Sequence, residues 1–223
     1  EKQHHYSEKI VYMPNSYQVN ISKRSVSEAS LLRHELGLPN TGFVFCCFNN
    51  NYKITPQVFD VWMRLLEKVE NSVLWILSEN INISKNLKKE ATLRGIDFNR
   101  IVFAERIKMN EHLARQKVAD LFIDTFPYTG HTTASDALWV GLPVLTRIGK
   151  SFASRVSASL LNAIGLSTLV TSSAKEYEDL AIELATNPAK LKEIKNKLKN
   201  NRNTKPLFNT QVFARNIEKA YSL

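Results

Sequence analysis

Short apolar runs alternate with longer segments of helical period along the chain from residue 41 onward. Such alternation is typical of a parallel sheet covered by helices. Strands of a parallel sheet are buried on both faces, which explains why these runs are almost continuously apolar. Six runs predict strands: 43–48, 72–77, 100–103, 119–124, 143–146 and 167–170. We therefore predict an α/β fold, a Rossmann-like parallel sheet with helices on both faces.

Capping signals mark several of the helices. Thr55 precedes Pro56, so its hydroxyl can accept from a free amide of the first turn, and proline lacks a donor that would stay unpaired there. Ser173 and Glu176 have the spacing of a capping box. The pattern predicts helices from Pro56 and after Ser173, and a lysine-rich amphipathic helix beyond Pro188.

Residues 1–40 are more polar and only weakly periodic. We interpret them as a lead-in, the tail of a preceding domain plus a linker, and assign residues 41–223 to the Rossmann-like domain. No window reaches the roughly 18 uncharged apolar residues of a membrane span, and the first residues lack the apolar core of a signal peptide. No transmembrane segment is expected.

The formal net charge of +9 suggests nucleic-acid binding as one hypothesis. Much of this charge lies in a single segment, and no aromatic residues that could stack on bases are interleaved with it. Its members are Lys190, Lys192, Lys195, Lys197, Lys199, Arg202 and Lys205. This distribution favours a solvated helix face, or docking on an acidic partner or membrane, over specific nucleic-acid recognition.

Cys46 and Cys47 are the two cysteines of the chain. Adjacent residues of a strand point to opposite faces, which argues against an ordinary disulfide between them. A metal site would need further ligands at workable spacing. We expect buried thiols in a reducing compartment, and hence a cytoplasmic protein.

The most informative stretch leads from the fourth predicted strand into a helix. Ligands of open α/β sheets bind at such junctions. His131, Thr132 and Thr133 place side-chain donors and free amides at the positive end of the helix, where a diphosphate would be well held. Asp136 follows one turn later and could accept from a sugar hydroxyl such as that of ribose. The alternative is a threonine-rich helix cap without a ligand.

Two weaker candidates accompany this stretch. Lys53 lies between the first strand and the first helix, where its ammonium could neutralise a phosphate, although a solvated surface lysine is the usual alternative. No G-x-G-x-x-G sequence surrounds it. His112 and Arg115 stand three residues apart on a short predicted helix and share a face. They could frame a base or a phosphate, but an exposed polar face is the simpler interpretation.

Missing motifs restrict the mechanism. No Asp-x-Asp sequence is present, so a metal ion bridging a diphosphate would have no obvious ligand pair. The charge of a leaving diphosphate must then be met by lysine, histidine and amide dipoles. The absence of Gly-x-Ser-x-Gly and Walker sequences argues against α/β-hydrolase and P-loop chemistry.

An ordered set of short motifs resembles the carboxy-terminal catalytic lobe of the O-GlcNAc transferases, the SPINDLY-like glycosyltransferase family 41. The motifs lie at 48–54, 72–75, 111–115, 130–139, 153–156 and 206–210. Residues 5–9 and 12–15 resemble the end of the family's amino-terminal catalytic lobe. Each motif alone is weak, whereas their common order and spacing are specific.

The resemblance implies a GT-B fold and inverting transfer of GlcNAc from UDP-GlcNAc to Ser or Thr of proteins. It implies no metal and no cofactor other than the UDP-sugar substrate. By position, Lys53 matches the lysine that contacts the donor diphosphate, which makes it our candidate catalytic residue. The implied donor-binding residues are Asn50, His112 and Arg115 near the nucleotide, His131, Thr132 and Thr133 at the phosphates, and Asp136 at the ribose.

Three positions depart from the animal members of the family. Asn50 replaces a glutamine, Met109 a nucleotide-contacting lysine, and Tyr128 a cysteine near the sugar. These changes affect the prediction of UDP binding less than the prediction of which sugar the UDP carries. A UDP-glucose-type hexosyltransferase of the same fold is therefore an alternative.

The chain lacks the family's tetratricopeptide repeats and most of its amino-terminal lobe. We therefore expect a fragment or split half whose partners are that lobe or the repeat segment and a protein acceptor. A non-catalytic docking module that uses the basic helix is the alternative from another functional class.

Overall fold

The computed structural model describes residues 4, 6–78 and 80–222, so residues 1–3 and 5 of the lead-in lie outside it. Its six strands form one parallel sheet in the order β3-β2-β1-β4-β5-β6. They are β1 (Val44–Cys47), β2 (Val73–Leu77), β3 (Ile101–Ala104), β4 (Leu121–Ile123), β5 (Val144–Arg147) and β6 (Val170–Thr171). The predicted Rossmann-like sheet is confirmed, and its order reverses between β1 and β4.

Helices connect and follow the strands. They are α1 (Pro56–Lys68), α2 (Ile81–Leu93), α3 (Met109–Arg115), α4 (Thr132–Val140), α5 (Val156–Ala163), α6 (Ala174–Thr186), α7 (Pro188–Thr204) and α8 (Thr210–Tyr221). Helix α1 contacts α6, whereas α4 contacts α3, α5 and α7. Because crossovers between parallel strands are almost always right-handed, those on either side of the reversal put these two groups on opposite faces of the sheet.

The core sits around the central strands. Every residue of β1 is fully buried, and Cys46 and Cys47 are free thiols, as predicted. Trp62 of α1 donates its indole N–H to the hydroxyl of Tyr177 in α6 at 3.4 Å, and Tyr177 donates to the carbonyl of Asp124 at 2.9 Å. The core therefore links the two contacting helices to the end of β4.

The sixth predicted strand has the wrong bounds. Ser167–Leu169 forms a 3-10 turn, and β6 comprises only Val170 and Thr171, paired with Thr146 and Arg147. Leu169 is fully buried although it is not in a strand. An apolar run reports burial, and burial alone does not distinguish a strand from a tight turn at the end of a sheet.

The predicted caps are present with one difference. The Thr55 hydroxyl accepts from the amide of Val58 at 3.3 Å, and the Ser173 hydroxyl accepts from that of Glu176 at 3.1 Å. The Glu176 carboxylate accepts from the amide of Ser172 at 2.8 Å, one residue before the position that a capping box requires.

The amphipathic basic helix is also confirmed as α7. It buries Leu191, Ile194 and Leu198. Three of its lysines, Lys192, Lys197 and Lys199, are exposed. No helix in the described part of the chain is long and apolar enough to cross a membrane.

Candidate functional site

The candidate site lies where the strand order reverses, at the carboxyl ends of β1 and β4. Asn49 follows β1 and Asp124 follows β4. The Asn49 amide donates to Oδ1 of Asp124 and to the Thr125 hydroxyl, both at 2.8 Å. Open α/β sheets bind ligands in the crevice at this point. A buried amide–carboxylate bridge therefore joins the segments that follow β1 and β4.

Asp124 organises the loop that follows β4. Besides Asn49, its carboxylate accepts from the amides of Thr125 at 2.9 Å and Gly130 at 2.7 Å, and from the Thr146 hydroxyl at 2.7 Å. Burial raises the pKa of this carboxyl group, and the hydrogen bonds act in the opposite direction. The loop and β5 are thus tied to a single fully buried side chain.

Gly130 occupies a space that a side chain would fill. A Cβ atom there would lie 3.0 Å from both Oδ1 of Asn49 and the hydroxyl oxygen of Thr133. These two atoms are themselves hydrogen-bonded, with Thr133 as donor. The carbonyl of Gly130 accepts from the Ser157 hydroxyl at 2.7 Å. The absence of a side chain therefore lets the first turn of α4 approach the end of β1.

The first turn of α4 lies beside the segment that follows β1, where Thr133 contacts Asn49. Its N-cap is His131, whose carbonyl accepts the first hydrogen bond of the helix, from Ser135, at 3.1 Å. The amides of Thr132 and Thr133 precede that bond and point out of the helix end. The Thr132 side chain is exposed. The predicted positive helix end is present at the sheet edge where ligands bind.

Lys53 is held beside this helix end. It ends the 3-10 turn Asn51–Lys53, donates its ammonium to the carbonyl of Thr129 at 2.9 Å, and lies 3.8 Å from the ring centroid of Tyr128. Burial lowers its pKa. The pKa of His131 is lowered by burial first and then by the charge of Lys53. Lys53 and His131 therefore interact electrostatically.

Asn50 and Asn49 have different roles. Asn50 is exposed, and its side chain caps the 3-10 turn by accepting from the amide of Tyr52 at 3.4 Å. Asn49 is buried and joins β1 to Asp124 and Thr133. The sequence pattern pointed to Asn50 and not to Asn49 or Asp124. The sequence signal for both was only a polar residue within two positions of the end of a central strand, which does not single out Asn49 among its asparagine neighbours.

Asp136 already has a cationic partner. It is 5% exposed, and its Oδ1 forms an ion pair with Nη1 of Arg24 from the lead-in. The second guanidinium nitrogen, Nη2, lies 3.8 Å from the sulfur of Met109. Burial raises the pKa of Asp136, and Arg24 opposes the shift. The sequence offered no specific signal for Arg24, which is one of several basic residues in a polar segment.

His112 and Arg115 contact each other, but their face is not exposed as the simpler interpretation held. Arg115 is 3% exposed, its Nη1 donates to the carbonyl of Glu105 at 2.6 Å, and its guanidinium lies 5.3 Å from the ring of Phe48. Nε of Arg115 donates to Nδ1 of His112 at 3.1 Å. Arg115 therefore supports the half-buried His112, whose ring is the part nearer to solvent.

His112 should make stability depend on pH. Burial, followed by the charges of Arg115, Arg106 and Arg24, lowers its pKa from 6.5 to about 4. The unfolded chain takes up this proton at a higher pH than the folded chain, so stability falls as the pH drops from about 6.5 toward 4. We expect a loss of about 1–2 kcal/mol between pH 7 and pH 5. Urea unfolding at the two pH values measures it.

The matched variant is His112→Gln, whose amide oxygen can still accept from Arg115 but does not titrate. It should lose less stability than the parent between pH 7 and pH 5. Equal losses in the two proteins would show that His112 is not responsible.

Comparison with known proteins decides the family. Residues 23–217 match the model of glycosyl transferase family 41. The chain belongs to glycosyl transferase family 41. Within this family it is 36% identical over 98% of its length to the probable UDP-N-acetylglucosamine–peptide N-acetylglucosaminyltransferase SEC of Arabidopsis thaliana. It is 37% identical over 83% of its length to the UDP-N-acetylglucosamine–peptide N-acetylglucosaminyltransferase of Caenorhabditis elegans.

Solved structures agree with this membership in family 41. A mutant of the Thermobaculum terrenum O-GlcNAc transferase superposes with a TM-score of 0.82 and 27% identity, over 97% of this chain and 41% of that one. Anabaena HepE has a TM-score of 0.62 at 15% identity, over 86% of this chain and 51% of that one, and shares the fold alone. The predicted likeness to GT-B glycosyltransferases is confirmed.

The family 41 chain spans 23% of the Arabidopsis relative and 16% of the C. elegans relative. It is homologous to enzymes, but the functions of the individual site residues stay predictions, as does the division at residue 40. Among the described residues, no group of three or more His, Cys, Asp or Glu side chains could hold a metal ion.

Proposed function

We propose that this family 41 chain binds the UDP of a UDP-sugar in the crevice between β1 and β4. There it would form the donor side of an inverting, metal-independent transfer of GlcNAc from UDP-GlcNAc to Ser or Thr of proteins. The observation that carries the proposal is the position of the Lys53 ammonium, which is hydrogen-bonded to the carbonyl of Thr129 just before α4, at the reversal of strand order. The Lys53 ammonium and the free amides at the start of α4 can bind the same anion from two sides.

The diphosphate would lie between the Lys53 ammonium and the first turn of α4. The amides of Thr132 and Thr133 and the ring of His131 are its donors on the helix side. Negative charge on the leaving diphosphate grows toward the transition state. Hydrogen-bond donors that are already fixed in place therefore stabilise the transition state more than the bound UDP-sugar. Lys53 is already oriented by the carbonyl of Thr129, 2.9 Å away, and needs little reorganisation.

The nucleoside would extend toward Asp136 and α3. Asp136 offers Oδ2 to a ribose hydroxyl while Oδ1 stays paired with Arg24. His112 is the half-buried residue available to the base, because the guanidinium of Arg115 is packed on Phe48 and bonded to Glu105. Asn50 would contact the donor from the exposed rim.

The named activities of the relatives support this substrate. The Arabidopsis and C. elegans proteins carry UDP-N-acetylglucosamine and peptide in their names, and the matched family region contains all the proposed donor residues. Because the chain spans only part of those proteins, the amino-terminal lobe and the protein acceptor are proposed partners.

Calorimetric titration with UDP tests the proposal, and we expect a dissociation constant on the order of micromolar, about −8 kcal/mol. The constant should be the same with and without EDTA, because lysine, histidine and amides would meet the phosphate charge. A requirement for Mg²⁺ or Mn²⁺ would refute metal independence. Competition between UDP-GlcNAc and UDP-glucose would separate the proposed donor from the hexosyltransferase alternative.

A docking function is the second candidate, and it is favoured by the exposed lysines of α7, among them Lys192, Lys197 and Lys199. Docking through α7 does not require that the crevice between β1 and β4 bind a ligand. Absence of UDP binding at millimolar nucleotide would reject the donor-site proposal and leave this one.

A further inference from the structure

The lead-in crosses the first half of α4. Three of its side chains contact three residues at the start of α4, and the two sets follow the same order along the chain. Tyr17 contacts His131, Asn20 accepts from the Ser135 hydroxyl at 2.5 Å, and Arg24 pairs with Asp136. Two of these partners, His131 and Asp136, are proposed donor-binding residues. The segment from Tyr17 to Arg24 therefore forms one wall of the candidate site.

Tyr17 makes the contact nearest to the proposed diphosphate position. Its hydroxyl oxygen lies 3.2 Å from Nδ1 of His131. Its ring packs edge-on against Phe152 with centroids 4.9 Å apart, and that phenylalanine also lies edge-on to His131 at 6.3 Å. The centroid of the Tyr128 ring lies 5.4 Å from that of the His131 ring. The imidazole thus packs against three aromatic rings, and the Tyr17 hydroxyl is its side-chain contact at Nδ1.

The other ring nitrogen of His131 is Nε2. Nε2 of His131 is buried and has no hydrogen-bond partner within the described part of the chain. Burial and the charge of Lys53 lower the pKa of His131, while the Ala153 carbonyl acts in the opposite direction. The ring is therefore neutral near pH 7 and carries one proton, on either Nδ1 or Nε2.

The position of that proton decides what Nε2 can bind. If the Tyr17 hydroxyl donates to Nδ1, the proton is on Nε2, which can donate to a phosphate oxygen. If Nδ1 carries the proton and donates to Tyr17, Nε2 presents a lone pair, which repels an anion. A hydrogen bond at one ring nitrogen selects the state of the other.

We propose that Tyr17 is a positioning residue whose hydroxyl donates to Nδ1 of His131 and holds the Nε2–H form that faces the diphosphate of the donor. This inference rests on the proposed function for its ligand, but the bond between Tyr17 and His131 is a property of the unliganded chain. It gives the lead-in a direct part in donor binding.

The ligand-free test is nitrogen-15 NMR of the histidine side chains, with His131 assigned from the signals that His131→Gln removes. In the parent, Nδ1 of His131 should have the shift of an unprotonated nitrogen and Nε2 that of a protonated one. Tyr17→Phe keeps the aromatic packing and removes only the hydroxyl, so the two shifts should move toward each other. A protonated Nδ1 in the parent would overturn the proposal.

The ligand test compares UDP and uridine by calorimetry. Tyr17→Phe should weaken UDP binding about three- to tenfold, the equivalent of one net hydrogen bond, and leave uridine unchanged. Tyr12→Phe is the matched control, because Tyr12 is also in the lead-in and is 73% exposed; it should change neither. Equal UDP affinity in the parent and Tyr17→Phe would overturn the proposal.

The two tests separate this inference from the function beneath it. If the parent binds no UDP, the donor-site proposal fails, while the NMR spectra still decide whether Tyr17 donates to His131. If the parent binds UDP and the Nε2–H form is absent, only the positioning role of Tyr17 fails.

Discussion

Asp124→Ala should lower the free energy of unfolding by about 3–5 kcal/mol, because it leaves several buried donors of one hydrogen-bond network without their acceptor. The carboxylate is fully buried and accepts from four groups, those of Asn49, Thr125, Gly130 and Thr146. Each buried donor left without a partner costs about 1–3 kcal/mol, and relaxation of the loop or entry of water recovers part of the sum. Urea unfolding at pH 7 measures the change.

Asp60→Ala is the matched control. Asp60 is likewise a hydrogen-bond acceptor, from Nε of Arg94 at 2.6 Å, but its side chain is 47% exposed. Partly solvated ion pairs contribute about 0–1 kcal/mol, so this variant should remain close to the parent. Similar losses in the two variants would show that the Asp124 network is not a principal support of the fold.

The same network shows why the sequence predicted the site only in part. Asn49, Asn50 and Asn51 are identical in type and consecutive, so no local pattern distinguishes the buried one. The difference arises from Asp124, 75 residues away, which accepts from Asn49 once β1 and β4 are paired. The sequence predicts that an asparagine side chain lies at the end of β1. Which of the three asparagines is buried there depends on the pairing of β1 with β4.

The helices followed from local signals because capping residues act within one turn. Thr55 bonds the amide three residues later, and Ser173 does the same in α6. The contacts of the lead-in had no such signal. Arg24 pairs with Asp136 across 112 positions and Tyr17 contacts His131 across 114, and nothing local in the lead-in predicts either contact. Isolated side chains in a polar segment carry no period from which their partners could be inferred.

Lys53→Ala should weaken UDP binding by about 1.5–3 kcal/mol, the range for a hydrogen bond to a charged group. The ammonium lies next to the helix end that would hold the other side of the diphosphate, and no other residue of the loop before α1 is cationic. The fold should remain intact, because Lys53 is only partly buried and hydrogen-bonds a loop carbonyl. Calorimetry with UDP and with uridine measures the change.

Uridine separates the charge effect from damage to the pocket. It lacks the phosphates, so the parent and Lys53→Ala should bind it alike. Lys117→Ala also removes one positive charge, but Lys117 lies just before β4, near the amino end of that strand and away from the candidate site. This variant should therefore keep the UDP affinity of the parent. In a complete two-lobe enzyme, Lys53→Ala should lower the rate more than the donor affinity, since the leaving diphosphate gains charge toward the transition state. If uridine weakened as much as UDP, Lys53 would act on the nucleoside or the fold, and its assignment to the diphosphate would be wrong.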